Sequence, residues 1–340
     1  MPASQTKKAS RTRAKAPLKA GSAHKRSISS AIRALDVLSD PWAFLVLREA
    51  FFGVRRFDEL RSNLMIARNI LSDRLGRLVR ERILERRLYE ERPRRYEYRL
   101  TEAGRDFFPA IVALMSWGDK WEWQRSGPPL ELFHKHCGKP LNPHVVCHHC
   151  RRPLSPREVN FEDGPGAGSE ANFRIPATRS RTTSQSWLRG RPCSVARTLK
   201  VIGDRWSLRI LREAFVGVKR FEEFQRNLDI ARNILSNRLA RLVKNRILVR
   251  QKYQDRPQRF EYKIAAAGIA LYPSLLLFMA WGDKWRRPKK GVPLILRHRR
   301  CGRQTNPILV CGQCGGEVNV GGTRYRSNYI YPKLRRKAES

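Results

Sequence analysis

The chain has 340 residues, and its 70 lysines and arginines exceed its 30 aspartates and glutamates by 40. This length is enough for about two domains of roughly 150 residues each. The positive excess favours a polyanionic partner, and an apolar content of 41% is too high for a chain that is disordered throughout. Composition therefore predicts two folded basic domains.

The distribution of apolar residues argues against a membrane-spanning protein and against a secreted one. The longest nearly apolar stretch, residues 269–281, contains Pro273 and is shorter than the roughly 20 residues that a membrane-spanning helix needs. No apolar segment follows the basic N-terminus, as a secretory signal would require. The seven cysteines lie mostly in close pairs and fit metal ligands or reduced thiols better than disulfides. We expect a cytoplasmic, nucleoid-associated protein with no membrane partner.

One unit occurs twice in the sequence. The residues from Arg68 to Ser72 recur from Arg232 to Ser236, and those from Trp117 to Trp121 recur from Trp281 to Trp285. Both recurrences have an offset of 164, since 232 − 68 = 164 and 281 − 117 = 164. Three cysteines of the first unit recur at the same offset. The chain is therefore a tandem duplication.

The duplication sets the predicted domain boundaries. We expect a disordered basic tail at 1–26, a first unit at 27–160, a linker at 161–189, a second unit at 190–323 and a basic C-terminal tail at 324–340. The linker is rich in Gly, Ser, Thr, Pro and Arg and has no apolar periodicity. If it were flexible, it would span roughly 30 Å, close to the roughly 34 Å between neighbouring major-groove half-sites.

The first unit starts with two predicted helices. Apolar residues between Ala31 and Leu38 recur at helical spacing, and a second helix follows Pro41 and ends at Gly53. A short third helix is predicted at 57–64, and a fourth at 67–82. In the fourth helix the leucines and the polar residues lie on opposite faces, so one face packs and the other is free to touch a partner.

The periodicity changes from helical to extended after residue 83. Residues 84–89 and 95–100 predict two strands, joined by an arginine-rich turn at 91–94. A long helix with an apolar stripe then starts near Thr101. These elements predict a winged helix-turn-helix. The fold class of the chain is therefore α+β, mainly α, with two such domains in tandem.

Short motifs in both units resemble those of the HxlR-type winged helix-turn-helix transcriptional regulators. In the second unit they are residues 192–197, 204–206, 211–215, 217–221, 230–235 and the Arg256-Pro257 wing. In the first unit Asp40-Pro41-Trp42 and residues 47–51 occupy the same places. Such regulators usually act as homodimers on inverted-repeat DNA through their first and last helices. The resemblance implies that the fused copies form an intramolecular pseudo-dimer or that the chain forms a homodimer.

In this fold the second helix of the helix-turn-helix enters the major groove of double-stranded DNA. Its exposed face offers one candidate set in each unit: Arg68, Asn69, Ser72, Asp73 and Arg77, and Arg232, Asn233, Ser236, Asn237 and Arg241. Arginine can bind guanine and asparagine can bind adenine through two hydrogen bonds, whereas aspartate accepts only from a donor such as cytosine N4. Because Asp73 corresponds to Asn237, we expect two related but unequal half-sites.

The predicted wings carry a second group of arginines. They are Arg92, Arg94 and Arg95 in the first unit, and Arg256 and Arg259 in the second. At the tip of a hairpin such side chains suit phosphates or the minor groove. The basic N-terminal tail would add sequence-independent affinity that weakens steeply with salt, although ordinary solvated charge is the alternative there.

Each unit ends in a His-x2-Cys pair and a Cys-x2-Cys pair, with nine residues between them. The residues are His134, Cys137, Cys147 and Cys150, and His298, Cys301, Cys311 and Cys314. Two ligand pairs on facing turns suit tetrahedral zinc, so the sequence predicts a zinc-ribbon-like extension with one structural zinc per copy. Reduced thiols are the alternative. The histidine ligand of the first unit stays open, because further histidines lie at His136, His144, His148 and His149.

Cys193 precedes the first helix of the second unit, and the corresponding position in the first unit is Ser29. In some HxlR-type regulators a cysteine resembling this one senses oxidants or electrophiles. The resemblance therefore implies a redox sensor at Cys193. The alternative is a small residue packed under a helix.

Together these features predict a sequence-specific double-stranded DNA-binding transcriptional regulator that acts as a repressor. One alternative is an architectural protein that binds nucleic acid without sequence preference, because charge alone does not distinguish the two. A second is a thiol oxidoreductase that uses the Cys-x2-Cys pairs. We expect no enzyme, because the sequence offers no nucleophile with its base, no phosphate loop and no open metal site.

Overall fold

The computed structural model describes residues 30–38, 41–122, 127–167 and 192–328. The predicted N-terminal tail lies outside these residues. So do most of the predicted linker, from residue 168 onward, and the last part of the predicted C-terminal tail, from residue 329 onward.

The first copy has the predicted order of helices, hairpin and closing helix. Its elements are α1 (Ser30–Leu38), α2 (Pro41–Phe51), α3 (Phe57–Leu64), α4 (Arg68–Arg80), β1 (Leu84–Glu90), β2 (Arg95–Leu100), α5 (Glu102–Arg105), α6 (Phe108–Trp121), β3 (Leu130–His134), β4 (Pro143–Cys147) and β5 (Val159–Asp163).

The second copy repeats this order. Its elements are α7 (Ser194–Ile202), α8 (Arg205–Phe215), α9 (Phe221–Leu228), α10 (Arg232–Lys244), β6 (Leu248–Gln254), β7 (Arg259–Ile264), α11 (Ala266–Ile269), α12 (Tyr272–Trp285), β8 (Leu294–His298), β9 (Pro307–Cys311) and β10 (Thr323–Ser327).

The turn of each helix-turn-helix contains a residue in the left-handed conformation. Met65 ends α3 at φ 51°, and Asp229 ends α9 at φ 50°. This conformation stops the helix and turns the chain toward the next one. Leu71 and Leu75 then bury one face of α4. The opposite face of α4 is left at the surface.

The two copies pack against each other through their first and last helices. Helix α1 packs on α12, α7 packs on α6, and α6 also contacts α12. The ring of Phe107 lies 4.3 Å from that of Trp281, measured between centroids. The indole of Trp117 donates a hydrogen bond to the carbonyl of Ala267, and the indole of Trp281 donates to that of Ala103, both at 2.8 Å. Because the contacts are reciprocal, the copies have the relation of a two-fold dimer within one chain.

The strands after the closing helices pair between copies. Strand β3 pairs with β10, β4 with β9 and β5 with β8, each as an antiparallel two-stranded sheet. The prediction of a self-contained extension in each copy is therefore wrong. The boundaries also differ, because β5 continues past residue 160 into the predicted linker and β10 continues past residue 323 into the predicted tail. Neither strand has a local partner that the sequence pattern could reveal.

Within the described residues, one segment, Ala266–Trp285, is long and apolar enough to cross a membrane by length and composition. In the 18-residue stretch of this segment that meets the hydropathy criterion, 67% is buried inside the protein. Helix α12 in this segment packs against α1 and α6. Core helices of water-soluble proteins pass the same test.

A buried carboxyl group lies where α12 meets α1. Asp283 follows Gly282, whose Cα closely approaches the backbone of Ser30. Burial raises the pKa of Asp283 to about 6, while Ser30 and Arg287 oppose this effect only in part. At neutral pH the contact between the copies therefore holds a carboxylate that is poorly solvated.

Asp283→Asn is expected to stabilise the chain at neutral pH and to change little at pH 4. The unfolded carboxyl has a pKa near ~3.9. The protonated form thus stabilises the folded state fully below that pH, and this contribution is lost as the pH rises through about 6. A pKa difference of about two corresponds to about 3 kcal/mol. Denaturant unfolding from pH 4 to pH 8 measures the difference.

The matched control is Asp255→Asn, since the side chain of Asp255 is 80% exposed. It should change the free energy of unfolding by less than about 0.5 kcal/mol at every pH. A gain for Asp283→Asn that is equal at pH 4 and pH 8 would contradict the explanation, because the neutral amide would then act through packing and not through charge.

Candidate nucleic-acid interface and metal centres

The two recognition helices, α4 and α10, expose the same positions. The exposed residues of α4 include Arg68, Asn69, Ser72 and Asp73, and those of α10 include Arg232, Asn233, Ser236 and Asn237. All of them come from the predicted DNA-binding sets. They lie in the first half of each helix, which is the part that contacts base edges in helix-turn-helix proteins. Each face offers a guanidinium group, at least one amide and a hydroxyl that can form hydrogen bonds with base edges.

The last predicted residue of each set is placed differently. Arg77 is half-buried and donates a hydrogen bond to the carbonyl oxygen of Asp36 in α1. Arg241 donates likewise to the carbonyl oxygen of Lys200 in α7. These guanidinium groups attach the recognition helix to the first helix of the same copy. The helical period places both arginines at the edge of the exposed face. The sequence alone therefore could not distinguish a hydrogen bond to the neighbouring helix from a contact with a base.

The first arginine of each recognition helix contacts an aromatic ring of the helix before it. The guanidinium carbon of Arg68 lies 5.9 Å from the ring centroid of Phe57, and that of Arg232 lies 5.2 Å from that of Phe221. A cation over a ring face is attracted by the ring quadrupole and loses some conformational freedom. This support was not predicted from the sequence, although Phe57 and Phe221 correspond to each other at the offset of 164.

The two recognition faces differ in charge. Asp73 forms an ion pair with Arg74, whereas the amide oxygen of Asn237 accepts a hydrogen bond from Arg238 at 2.9 Å. The guanidinium group of Arg238 also lies 3.0 Å from the carboxylate of Asp204, the residue that caps the N-terminus of α8. A carboxylate at the centre of the face therefore occurs only in the first copy.

Each wing presents its predicted arginines at the tip. Arg92, Arg94, Arg95, Arg256 and Arg259 are all exposed. Below the tips, Arg86 lies over the ring of Tyr96 at 3.4 Å, and Arg250 lies over the ring of Phe260 at 3.5 Å. The structure thus places exposed cations on the wing next to the recognition helix of the same copy.

At the base of each wing an arginine lies over a tyrosine ring, and this contact was not predicted from the sequence. Arg56 lies 4.9 Å from the ring centroid of Tyr89, and Arg220 lies 5.0 Å from that of Tyr253. Both rings are 39% exposed. These pairs repeat at the offset of 164, which is the signal that could have found them.

The cysteine and histidine residues form two clusters, and each combines the two copies. Cluster A consists of His134, Cys137, Cys311 and Cys314, and cluster B consists of Cys147, Cys150, His298 and Cys301. In each cluster the four ligand atoms lie within 4.8 Å of one another. The two clusters contain all eight predicted ligands, but the prediction of one complete site per copy is wrong. Each cluster takes its His-x2-Cys pair from one copy and its Cys-x2-Cys pair from the other.

The surroundings of the clusters orient one histidine ring and lower the pKa of Cys147, whereas burial and neighbouring thiols raise the pKa of Cys150. In cluster A, Nδ1 of His134 lies 3.2 Å from the sulfur of Cys314, while its Nε2 lies 3.3 Å from the carbonyl oxygen of Glu317. Such an outer contact fixes the ring and its tautomer. In cluster B, burial acts to raise the pKa of Cys147, but hydrogen bonds from the Thr305 hydroxyl and from backbone amides bring it below its usual value. The thiolate that zinc requires is thereby favoured.

The candidate sensor Cys193 lies at the contact between the copies. It is half-buried and stands at the N-cap position of α7. One charged neighbour is Arg48 of the first copy, which is itself buried and lies 2.6 Å from Glu49. Burial lowers the pKa of Arg48, but Cys193 and Glu49 raise it above its usual value overall. The sequence could not reveal this neighbour, because it belongs to the other copy.

Comparison with known proteins adds three findings. The family model for HxlR-like helix-turn-helix proteins matches residues 37–126 and 201–290, more than half of the chain. An HTH-type transcriptional regulator of Mycobacterium tuberculosis is 48% identical over 143 residues, which cover 42% of this chain and 90% of that protein. One from Synechocystis is 39% identical over 93 residues, which cover 27% of this chain and 69% of that protein.

A solved structure of a candidate transcription factor from Pseudomonas aeruginosa is also similar in sequence. It is 33% identical, and the match covers 42% of this chain and 97% of that protein, with a TM-score of 0.31.

Proposed function

This chain belongs to the HxlR-like helix-turn-helix family and carries the family's unit twice, and we propose that it is a repressor that binds double-stranded DNA sequence-specifically. The observation that carries the proposal is the pair of recognition faces, each with four exposed polar residues in the first half of α4 or α10, beside arginine-tipped wings. Arginine and asparagine at these positions can read base edges, and the wing arginines can hold phosphates or enter the minor groove. The function is regulatory and not enzymatic, and it is exerted in the cytoplasm on the nucleoid.

The two copies of one chain supply both halves of the binding unit. The reciprocal packing of α1 on α12 and of α7 on α6 gives one chain the arrangement that a dimer of single-copy proteins would have. We expect the active species to be a monomeric chain of 39.5 kDa acting as a pseudo-dimer. Light scattering measures the mass, and a stable dimer of chains at the concentrations that bind DNA would contradict this assembly.

Selection of duplexes from a random-sequence library, with the full chain at near-physiological salt, tests the function. The expected result is a set of sites composed of two related half-sites, bound at least about 10³-fold more tightly than random DNA. Equal affinity for selected and random duplexes would overturn sequence-specific regulation and support the architectural alternative, because phosphate contacts alone do not distinguish sequences.

The half-sites are expected to differ because Asp73 corresponds to Asn237. Asp73→Asn gives the first copy the amide of the second and removes the carboxylate from its recognition face. Binding to DNA with two copies of the second half-site should then strengthen by about 1–3 kcal/mol, the value of one base contact. Fluorescence anisotropy measures this, and the control is Asp163→Asn, which removes an exposed carboxylate from strand β5. No change in half-site preference would mean that Asp73 does not face a base.

We further propose that clusters A and B hold structural zinc. Three thiolates and one imidazole form a closed tetrahedral donor set that suits Zn²⁺. Bound zinc would supply folding free energy and no catalysis, because no coordination position stays open. Metal analysis of the purified chain under reducing conditions is expected to give two zinc ions per chain.

Cys193 is proposed as the site through which oxidants or electrophiles act on DNA binding. Its place at the contact between the copies, beside the buried Arg48, supports this. Modification there would disturb the packing that positions both recognition helices. Alkylation of the chain is expected to release DNA, and Cys193→Ser is expected to abolish that response. Unchanged release in the Cys193→Ser chain would remove Cys193 as the sensor.

A further inference from the structure

The distances within clusters A and B match a tetrahedral ion. With Zn–S bonds of about 2.3 Å, the edge of the tetrahedron between two sulfurs is about 3.8 Å. The sulfurs of Cys137 and Cys311 are 4.0 Å apart, and those of Cys147 and Cys301 are 3.8 Å apart. Both of these pairs join one copy to the other. The cross-copy atoms are thus already at the separation that coordination to one ion requires.

The strand register places the ligand pairs of one copy at different ends of the same ribbon. In the β4–β9 pair, Cys147 lies opposite Pro307, and Cys311 lies opposite Pro143. Cys147 and Cys311 are therefore separated by four residues along the ribbon, which is about 14 Å at about 3.4 Å per residue. Because Cys137 accompanies Cys311 and not Cys147, the two ligand pairs of the first copy are too far apart to share an ion.

The sheets around the clusters need additional support. Each consists of only two strands, one from each copy, and an isolated two-stranded sheet is marginally stable in water. Several of their cross-copy contacts are exposed ion pairs, such as Arg297 with Glu162 at 2.8 Å, and exposed pairs contribute little. A metal ion at each end of the β4–β9 ribbon would add the stability that these two-stranded sheets lack.

We propose that two zinc ions link the two copies, each ion bound by the His-Cys pair of one copy and the Cys-Cys pair of the other. This rests on the proposal that the clusters hold zinc. The first ion joins His134 and Cys137 to Cys311 and Cys314, and the second joins His298 and Cys301 to Cys147 and Cys150. A single copy holds half of each site and completes neither. Zinc therefore fastens the C-terminal strands of one copy to those of the other.

Paired substitutions in the full chain test which cysteines share an ion. Cys137→Ser is expected to reduce the zinc content from two ions per chain to one. Adding Cys314→Ser removes a second ligand from the same site, so the content should stay at one. Adding Cys150→Ser instead removes a ligand from the other site, so the content should fall to none. Sites built within one copy would give the opposite result for the two double variants.

Elemental analysis measures zinc per chain, and circular dichroism and gel filtration confirm that each variant is folded. The outcomes separate the proposals. A wild-type chain with no zinc and no tetrahedral Co²⁺ spectrum would overturn zinc binding, while the DNA selection would be unaffected. One zinc in the Cys137→Ser/Cys150→Ser chain and none in the Cys137→Ser/Cys314→Ser chain would overturn the cross-copy link.

A measurement on the wild-type chain avoids the risk that a variant fails to fold. After removal of metal, mild oxidation with diamide should join thiols that are already close. Peptide mapping is expected to find disulfides only between members of one cluster, among them the cross-copy pairs Cys137–Cys311 and Cys147–Cys301. Disulfides between Cys137 and Cys147, within the first copy, would instead contradict the proposed arrangement.

Discussion

Replacing Arg68 and Arg232 together with alanine is expected to weaken binding to the selected DNA by roughly 30-fold to 10⁴-fold. Both side chains are exposed at the first position of a recognition helix. Two hydrogen bonds from an arginine to one guanine are worth about 1–3 kcal/mol, so two such contacts amount to about 2–6 kcal/mol. Binding to random DNA should weaken much less, because it depends on phosphate contacts.

The matched control removes two positive charges from exposed positions in the turns between C-terminal strands. Lys139 and Arg303 are exposed and correspond to each other at the offset of 164. Lys139→Ala with Arg303→Ala should change the affinity by less than about 3-fold at physiological salt, since distant charges are screened. Anisotropy titrations against selected and random duplexes measure both double variants. An equal loss in the two would mean that net charge, and not the recognition faces, determines binding.

Gly118→Ala and Gly282→Ala are each expected to destabilise the chain by about 3 kcal/mol or more. A Cβ atom at Gly118 would lie 2.1 Å from the carbonyl oxygen of Ser194, and one at Gly282 would lie 2.1 Å from that of Ser30. These glycines are the points where α6 meets α7 and α12 meets α1. Because backbone atoms cannot turn away as a flexible side chain can, the helices of the two copies must separate, at the upper end of the cost of overpacking.

Gly76→Ala is the control for the effect of alanine in a helix. A Cβ there would meet only the end of the Arg80 side chain at 3.5 Å, and the second copy already has Ala240 at this position. This change should stabilise the chain by about 0.5–1 kcal/mol. Denaturant unfolding measures all three variants. If Gly118→Ala and Gly76→Ala behaved alike, the close packing of the copies would not limit stability.

The substitutions Gly118→Ala and Gly282→Ala should also weaken DNA binding. Binding of one chain to two half-sites requires both recognition helices at a fixed separation, and that separation depends on how the copies pack. At temperatures where the variant is still folded, affinity for a complete two-half-site duplex should therefore fall more than affinity for a single half-site.

The family and the helix and hairpin pattern followed from the sequence by itself. Leu71 and Leu75 recur with the helical period because α4 buries one face, and residues 84–89 and 95–100 carry the pattern of paired strands because their partner is the neighbouring segment. The exact offset of 164 then showed that the second copy repeats every one of these local signals. Local periodicity is set by which face of an element is buried, so a sequence without a structure can reveal it.

Only the tertiary structure decided how the copies combine. Cys137 and Cys147 have the same spacing in sequence whether their site closes within one copy or between two, because the copies are equivalent and an exchange of partners leaves no trace in the spacing. Strands β5 and β10 pair with segments that are remote in sequence. Arg77 binds a carbonyl oxygen of α1, whereas the helical period was equally consistent with a contact to a DNA base. Contacts between distant segments depend on the packing of whole elements, which local patterns do not encode.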